Sequence, residues 1–469
     1  MRIQMGRKAL MLGSVTTIVA VLVGLAVVGA AGIAGWEYSN SNAFCATMCH
    51  DVHPEEIQAH KVGAHARVNC VECHMGRNST LHLMALKPTH AKELWGMIVG
   101  YERPLASGTL RPSREACESC HYPAAEHHDS ITIKAHYAAD EASTESRTKL
   151  VLHTGVGTVR EASAKGIHWH IQNEVSYVSL DVQRREIPWV EVKKPDGTKV
   201  TYIDAASKVT AQQIAAQEKR VMACYDCHNQ VGHPFTNPAV QVDNAIAAGR
   251  IDRKMPNTKA RALELIEASA KFAGPREERA KAIDKLIADA TAKANVATGY
   301  KDQEKTFNAV MKEILLTASF EEKGFTWKSF VDHTGHNDSA GCFRCHDGKH
   351  FNEKGEAIRL QCTLCHGLPQ VAIENGKSTV PSTITNDPSP KSHEAANFMR
   401  EHADLKDETC EKCHGTPLKK GKSGGNFCAN PACHGRTYPG VDLSVEAPVK
   451  APPAPAPAPA KAEAPAKKG

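Results

Sequence analysis

The chain has 469 residues, enough for two to four domains, yet only 5% are aromatic while 16 are cysteine and 25 are histidine. Its 57 basic and 52 acidic residues leave a net charge of +5, too small a surplus to favour nucleic-acid binding. This composition argues against an ordinary soluble protein.

An uncharged segment lies near the N-terminus, at residues 9–36. It is longer than the roughly 20 residues that cross the hydrocarbon of a bilayer. Three basic residues stand within 1–8, so we expect this end to stay cytoplasmic and the rest of the chain to be exported. Trp36 and Tyr38 follow as candidate interfacial anchors. A cleaved signal peptide is the alternative, but the apolar run is unusually long for one, so a retained transmembrane anchor is favoured.

All sixteen cysteines fall into eight pairs, and a histidine directly follows the second cysteine of every pair. The paired cysteines are Cys45 and Cys49, Cys70 and Cys73, Cys117 and Cys120, Cys224 and Cys227, Cys342 and Cys345, Cys362 and Cys365, Cys410 and Cys413, and Cys428 and Cys433. The histidines that follow them are His50, His74, His121, His228, His346, His366, His414 and His434. Six pairs have two intervening residues, whereas the first pair has three and the last has four.

This pattern is typical of covalent attachment of haem c. Two thiols add to the vinyl groups of the porphyrin, and the adjacent histidine then becomes the proximal axial ligand of the iron. Zinc ribbons and disulfides also use paired cysteines, but neither requires a histidine after every second cysteine. The sequence therefore predicts eight covalently bound haems, whose large apolar rings replace much of a conventional core.

The eight motifs form two groups of four, separated by a cysteine-free stretch. The predicted organisation is a cytoplasmic N-terminus at 1–8, an anchor at 9–36, a four-haem domain at 37–239, a helical spacer at 240–330, a second four-haem domain at 331–440 and a disordered Pro/Ala-rich tail at 441–469.

The predicted fold class is a multihaem cytochrome c, mainly α-helical with much irregular structure and one N-terminal transmembrane helix. Alternating residues within 174–203, with a turn at Pro195-Asp196-Gly197, predict a small β-hairpin element. The spacer predicts three helices. They run from Asn257 or Thr258 to Gly274, from Pro275 onward, and over about 302–317.

Ligation of every iron by two histidines needs eight histidines beyond those of the motifs, and the chain has more than that number. The candidate distal ligands, chosen by their position near motifs, are His65, His168, His170, His333, His336, His350, His393 and His402. A second group of candidates is His53, His60, His127, His128, His136 and His153.

The anchor followed by "FCATMCH" and "HARVNCVECHMG" resembles the NapC/NirT family of membrane-anchored multihaem quinol dehydrogenases. The stretches "RPSREACESCH" and "GCFRCHDGKH" resemble the larger members, which are inner-membrane cytochromes that pass quinol electrons towards extracellular respiration. The last four motifs also resemble small tetrahaem cytochromes of class III. The resemblance implies that quinol binds beside the first haem and that electrons pass to a periplasmic cytochrome or other redox acceptor.

The resemblance also implies a quinol pocket lined by a lysine and an acidic residue after the second motif. Lys87 is the best match, with Lys92, Glu93 and His90 as further candidates. An acidic or imidazole group could accept the protons that quinol oxidation releases. The alternative is that these are ordinary interfacial residues of an amphipathic helix.

The first motif departs from the family pattern. The family usually has a methionine ligand two residues after the motif histidine, and Val52 occupies that position here. Met48, His50 and His53 all stay open as ligands of the first iron. The extra residue between Cys45 and Cys49 lies only a short distance beyond the predicted anchor, where quinol is expected.

The favoured function is quinol oxidation by an electron-transfer protein in the inner membrane, with its haem domains in the periplasm. Its partners are then the lipid bilayer, membrane quinol and a periplasmic redox acceptor, and a homo-oligomer is compatible with the sequence. The alternative is a multihaem reductase of a small N- or S-oxyanion, which needs an iron with an open coordination position. Such reductases often have lysine in place of a motif histidine, and no such motif occurs here.

Overall fold

The computed structural model describes residues 2–48, 54–90, 95, 99, 111–122, 128–155, 166–194, 196–294, 296–367, 369–374, 377–378, 395–401 and 437–448. The chain divides into two compact units. The first consists of Met1–Glu102 and Thr109–Ser119, and the second of Arg103–Gly108 and Cys120–Gly469.

A long helix, Arg2–Ser39, begins the first unit. Its stretch Thr17–Ser39 has a mean hydropathy of 2.5, and none of it is buried inside the protein. These 23 residues rise about 35 Å, which exceeds the roughly 30 Å of bilayer hydrocarbon. The helix confirms the predicted apolar segment and extends it at both ends.

The other helices whose bounds the structure gives in the first unit are short, and they contain Cys45 of the first motif and all of the second. They are Asn42–Met48, Pro54–Val62, Cys70–His74, Thr80–Leu86 and Ser113–Ala116, with a 3-10 helix at Lys87–His90. Gly76 ends the second motif at φ +77°, where an added Cβ would lie 2.9 Å from Asn78 Nδ2. This left-handed turn, which favours glycine, lets Asn78 Nδ2 donate to Glu115 Oε2 at 2.9 Å. The second motif is thereby fixed against the Ser113–Ala116 helix.

The described residues of the second unit form two antiparallel sheets. The first sheet has the order β1-β2-β8-β9, with β1 at Ser130–Tyr137, β2 at Glu145–Leu152, β8 at Gln370–Glu374 and β9 at Lys377–Ser378. The sequence interpretation missed this sheet. The alternation of Ile131, Ile133 and Tyr137 is a signal for β1, but the pairing of Arg147 in β2 with Ile373 in β8 joins distant segments and has no local signal.

The second sheet has the order β6-β3-β4-β5-β7 and confirms the predicted β element. Its strands are β3 at Val175–Val178, β4 at Trp189–Lys193, β5 at Lys199–Asp204, β6 at Arg220–Val221 and β7 at His350–Phe351. The turn between β4 and β5 has Gly197 at φ +83°, while Pro195 lies outside the described residues. Because β7 directly follows the fifth motif and pairs with β5, the sheet holds that motif in place.

Four helices form the main apolar core of the second unit. They are Pro238–Ala247, Thr258–Ser269, Arg276–Ala294 and Lys301–Ala318. The residues buried among them include Val242, Ile246, Leu265, Ile283, Phe307, Met311, Ile314 and Leu315. The three predicted spacer helices are confirmed, although the first ends at Ser269 rather than Gly274. The Pro238–Ala247 helix was not predicted.

The other helical segments of the second unit are single turns, and several lie at the motifs. They are Trp169–Gln172, Ala211–Ala216, Cys224–Cys227 and Phe398–Glu401, with 3-10 turns at Thr298–Tyr300, Trp327–Ser329, Gly341–Arg344 and Cys362–Leu364. The predicted domain boundaries stay predictions. Of the predicted tail, residues 441–448 are described, and Asp442 N donates to Asp347 O at 3.0 Å.

One buried ion pair ties the four helices to the first sheet. Lys259 is 2% exposed, and its Nζ lies 2.6 Å from Asp243 Oδ1 and 2.7 Å from Ala239 O. Asp243 Oδ1 also accepts a hydrogen bond from the backbone N–H of Tyr137 in β1 at 3.3 Å. Removing either charge would leave the other buried without its partner, which is strongly destabilising.

We therefore expect Lys259→Met to destabilise the Thr258–Ser269 helix by about 3 kcal/mol. The amides of this helix should then exchange ~100-fold faster than in the unaltered protein. Hydrogen exchange with mass spectrometry on the full-length holoprotein measures this. The control is Lys312→Met, which breaks a half-exposed pair with Asp284 at 2.7 Å and should cost less than about 1 kcal/mol. Equal amide protection of the Thr258–Ser269 helix in the two variants would contradict the stabilising role of the Lys259–Asp243 pair.

Candidate functional site

The structure describes the second to sixth motifs fully or in large part, and only residues 45–48 of the first. The predicted site residues outside the described residues are Cys49, His50, His53, Lys92, Glu93, His127, His393, His402, Cys410, Cys413, His414, Cys428, Cys433 and His434, and the side chains of Met48, His90 and Cys362 lie outside them too. None of the ten cysteines whose side chains are described forms a disulfide.

The first two motifs meet within the first unit. Asn42 Oδ1 accepts a hydrogen bond from the backbone N–H of Cys70 at 2.9 Å. A hydrogen bond from the side chain of Cys45 lowers the pKa of the Cys70 thiol to about 6. The first cysteines of the two motifs are therefore neighbours, and groups attached to them would be adjacent as well.

Lys87 lies beside the end of the long apolar helix. Its Nζ donates to Ser39 O at 3.2 Å and also to Ser39 Oγ, and it stands 4.4 Å from the centre of the Trp36 ring. Burial lowers the pKa of the Lys87 ammonium, while the nearby Cys45 thiol acts in the opposite direction. Lys87, an ammonium group with a lowered pKa, thus lies where the apolar helix ends and the first motif begins.

In the second unit, a buried polar network joins the fourth motif to the second sheet. Asp226, between the two cysteines of the fourth motif, is 2% exposed. Its Oδ1 accepts from Tyr177 Oη at 2.6 Å and lies 2.8 Å from Arg184 Nη1, and its Oδ2 accepts from Ala223 N at 2.7 Å. Sequence reasoning missed this network, although a charged residue inside an attachment motif was a possible signal.

Three predicted distal histidines each face the histidine of a motif. The ring centres of His168 and His228 are 6.4 Å apart, those of His170 and His346 are 5.8 Å apart, and those of His336 and His366 are 6.2 Å apart. Imidazole nitrogen binds a metal ion at about 2 Å, so two imidazoles on opposite sides of one ion have ring centres about 6 Å apart. The three spacings match that value.

The hydrogen bonds of these rings leave one nitrogen available. His170 Nδ1 is bonded to Ile167 O at 2.8 Å, His366 Nδ1 to Gly367 O at 2.7 Å, and His346 Nδ1 to Arg359 O. A histidine whose Nδ1–H donates to a carbonyl presents Nε2 to a metal. Burial lowers the pKa values of His170 and of His346, the latter to about 4, and this favours the neutral, metal-binding form.

The sixth motif is held to the first sheet and to the fifth motif. His153 N donates to Cys365 O at 2.9 Å, and Gly367 N donates to Val151 O at 2.8 Å. A hydrogen bond from Cys365 lowers the pKa of the Cys342 thiol to about 7. The charge of Cys342 also affects the pKa of the Cys227 thiol. The fourth, fifth and sixth motifs are therefore close neighbours in one unit.

The remaining described candidates have other surroundings. His333 Nε2 is bonded to Gln183 O at 2.7 Å, and burial lowers the pKa of this ring to about 4. His350 has both ring nitrogens engaged, Nδ1 by the Asp347 carboxylate at 3.0 Å and Nε2 by Ile187 O at 2.7 Å. His65 lies in the turn after the Pro54–Val62 helix, where its carbonyl accepts from Val68 N at 2.8 Å.

These residues fit covalently bound haem. The Nδ1 atoms of His168, His333 and His336 are buried without a hydrogen-bond partner in the described part of the chain, whereas buried polar atoms normally have one, so a bound group can complete the contacts of these rings. Within the same described residues, no cluster of three or more His, Cys, Asp or Glu side chains could hold a bare metal ion. Two imidazoles beside an attachment motif would instead suit the iron of a covalently bound haem.

Comparison with known proteins identifies the family. Residues 7–104 match the model of the NapC/NirT cytochrome c family, N-terminal region. The chain is 36% identical over 348 residues to the cytochrome c-type protein ImcH of Geobacter sulfurreducens, covering 73% of this chain and 68% of that protein. It is 30% identical over 164 residues to the denitrification system component NirT of Stutzerimonas stutzeri, covering 28% of this chain and 79% of that protein. No solved structure matches the chain.

These matches confirm the resemblance predicted from the sequence, and they explain the apolar helix and the cysteine–histidine motifs together. Haem c is the covalent cofactor of this family, and electron transfer at a membrane is its activity. The chain belongs to the NapC/NirT family of membrane-anchored c-type cytochromes.

Proposed function

We propose that this cytochrome oxidises membrane quinol and passes the electrons through eight haems c to a periplasmic redox partner. The single observation that carries the proposal is the position of Lys87 at the end of the apolar helix and beside Cys45 of the first motif. The basic residues before the helix favour a cytoplasmic N-terminus and periplasmic haem domains.

The surroundings of Lys87 suit a headgroup that loses protons. Its ammonium is held by Ser39 and faces Trp36, so it can exchange these contacts for a quinol oxygen without leaving the end of the helix. The direction of its pKa shift, caused by burial, favours proton release. A positioned group of this kind can stabilise the deprotonating quinol, while Lys92, Glu93 and His90 stay candidates to accept protons.

The haems, when bound, supply iron centres that each take up and release one electron. The chain's part is to hold them, and we propose that His168 with His228, His170 with His346, and His336 with His366 are three axial pairs. His168 and His170 are two residues apart and serve the fourth and fifth motifs respectively, so one short segment fixes both sites.

Replacing Lys87 by alanine should slow quinol-dependent haem reduction by at least about tenfold, because the group that orients the quinol oxygen is lost. Stopped-flow absorbance of the full-length protein in liposomes with a reduced menaquinone or ubiquinone analogue measures the rate. The matched control is Lys61→Ala, an exposed lysine at the end of the Pro54–Val62 helix.

Dithionite should still reduce every haem in the Lys87 variant, which would show that haem attachment is intact. An unchanged quinol rate in that variant would remove the proposed role of Lys87. Failure of any quinol to reduce the unaltered protein would overturn quinol oxidation itself.

Replacing His170 by glycine should convert one haem from low to high spin, because the iron bound at the fifth motif loses one of its two imidazoles. Electron paramagnetic resonance of the oxidised protein detects the change, and covalent haem content should stay the same. In the control variant His82→Ala, which removes an exposed ring in the Thr80–Leu86 helix that is in neither group of candidate ligands, we expect only low-spin iron. A fully low-spin His170 variant would contradict the pairing, and a high-spin signal in the unaltered protein would favour the reductase alternative.

A further inference from the structure

Arg344 lies between the two cysteines of the fifth motif, and its guanidinium reaches three segments of the chain. Nε donates to Gly341 O at 2.9 Å, Nη1 to Arg184 O at 2.9 Å, and Nη2 to Asp226 O at 2.8 Å. The three acceptors belong to the fifth motif, the loop between β3 and β4, and the fourth motif. The planar fork of the arginine is therefore fixed in position.

The charges around Arg344 do not cancel. Its three acceptors are neutral carbonyl oxygens, and the carboxylate of Asp226 is paired with Arg184 at 2.8 Å instead. Asp347, the next carboxylate along the fifth motif, is engaged by His350 at 3.0 Å and by Lys349 at 3.5 Å. In the described part of the chain, the Asp226 carboxylate is taken up by Arg184, and Arg344 bonds only to carbonyl oxygens, which leaves a fixed and half-buried positive charge at Arg344.

This charge reaches both attachment motifs. Arg344 stands between Cys342 and Cys345 in the sequence, and its Nε–Gly341 O hydrogen bond holds the guanidinium at the start of the fifth motif. Its Nη2–Asp226 O hydrogen bond places the same group at the backbone between Cys224 and Cys227 of the fourth motif. The positive charge of Arg344 therefore lies at the fourth and the fifth sites together.

We propose that Arg344 is a redox-tuning residue shared by the fourth and fifth haem sites, where its fixed positive charge raises both reduction potentials. Reduction adds one electron and removes one positive charge from a site, with no bond made or broken. A nearby cation favours that change, and partial burial reduces its screening by water. The inference rests on the haem placement of the proposed function, but it does not depend on quinol as the donor.

Potentiometry of the detergent-solubilised, full-length holoprotein, reduced stepwise with dithionite and followed by haem absorbance, tests the proposal. In Arg344→Gln, two one-electron waves should move to lower potential. At a fixed potential the reduced-to-oxidised ratio of each site should fall by about tenfold, which corresponds to a shift of ~59 mV. Arg344→Lys retains the charge and should restore most of the shift. The control Arg185→Gln removes an equal charge from a side chain that is 60% exposed and should leave the waves in place.

A second variant tests the opposite sign. Asp226→Asn removes the carboxylate that balances Arg184, so the same two waves should move to higher potential, and this result decides the matter if Arg344→Gln loses haem. Unchanged waves in Arg344→Gln at full haem content, an equal shift in Arg185→Gln, or a downward shift in Asp226→Asn would each overturn the proposal. Because dithionite replaces quinol, failure of quinol oxidation and failure of this inference give different results.

Discussion

The pairing of histidine rings from distant segments is the contact on which the proposed haem sites of the second unit depend. His168 and His170 lie just before β3, yet they face the histidines of the fourth and fifth motifs. His336 faces the histidine of the sixth motif in the same way. Each pair needs a sheet or a turn that holds both partners at the separation that one metal ion requires. The second sheet does this for the fifth motif through β7, and β2 does it for the sixth.

The same requirement explains the unusual composition. Among the described residues, a chain with 5% aromatic residues has its largest apolar core in the four helices after the fourth motif, with smaller apolar clusters at the second sheet. Around the motifs, buried polar contacts such as Tyr177–Asp226–Arg184 fix the backbone instead. In the first unit, the long apolar helix positions Lys87 and the first motif at the expected membrane surface. Membrane attachment and haem attachment are therefore adjacent within that unit.

Features with a local chemical signal were predictable from the sequence. The adjacent cysteine and histidine residues predicted haem c, the uncharged run predicted the apolar helix, and alternation with Asp196-Gly197 predicted the hairpin of β4 and β5. His168, His170 and His336 were chosen by proximity to motifs, but proximity could not say which motif histidine each one would face. The first sheet and the Arg344 contacts depend on residues far apart in the chain, so no local pattern indicated them. For His350, position alone suggested a ligand, whereas the structure engages both of its ring nitrogens.

In the proposed electron path, every cysteine pair holds a haem, including the irregular first and last pairs. Intact mass spectrometry of the full-length protein purified from membranes tests this proposal, because thioether-bound haem survives denaturation. We expect eight covalent haems on a chain that retains its N-terminal helix. Six haems would mean that the three-residue and four-residue spacings do not support attachment, and loss of residues 1–36 would contradict the membrane anchor.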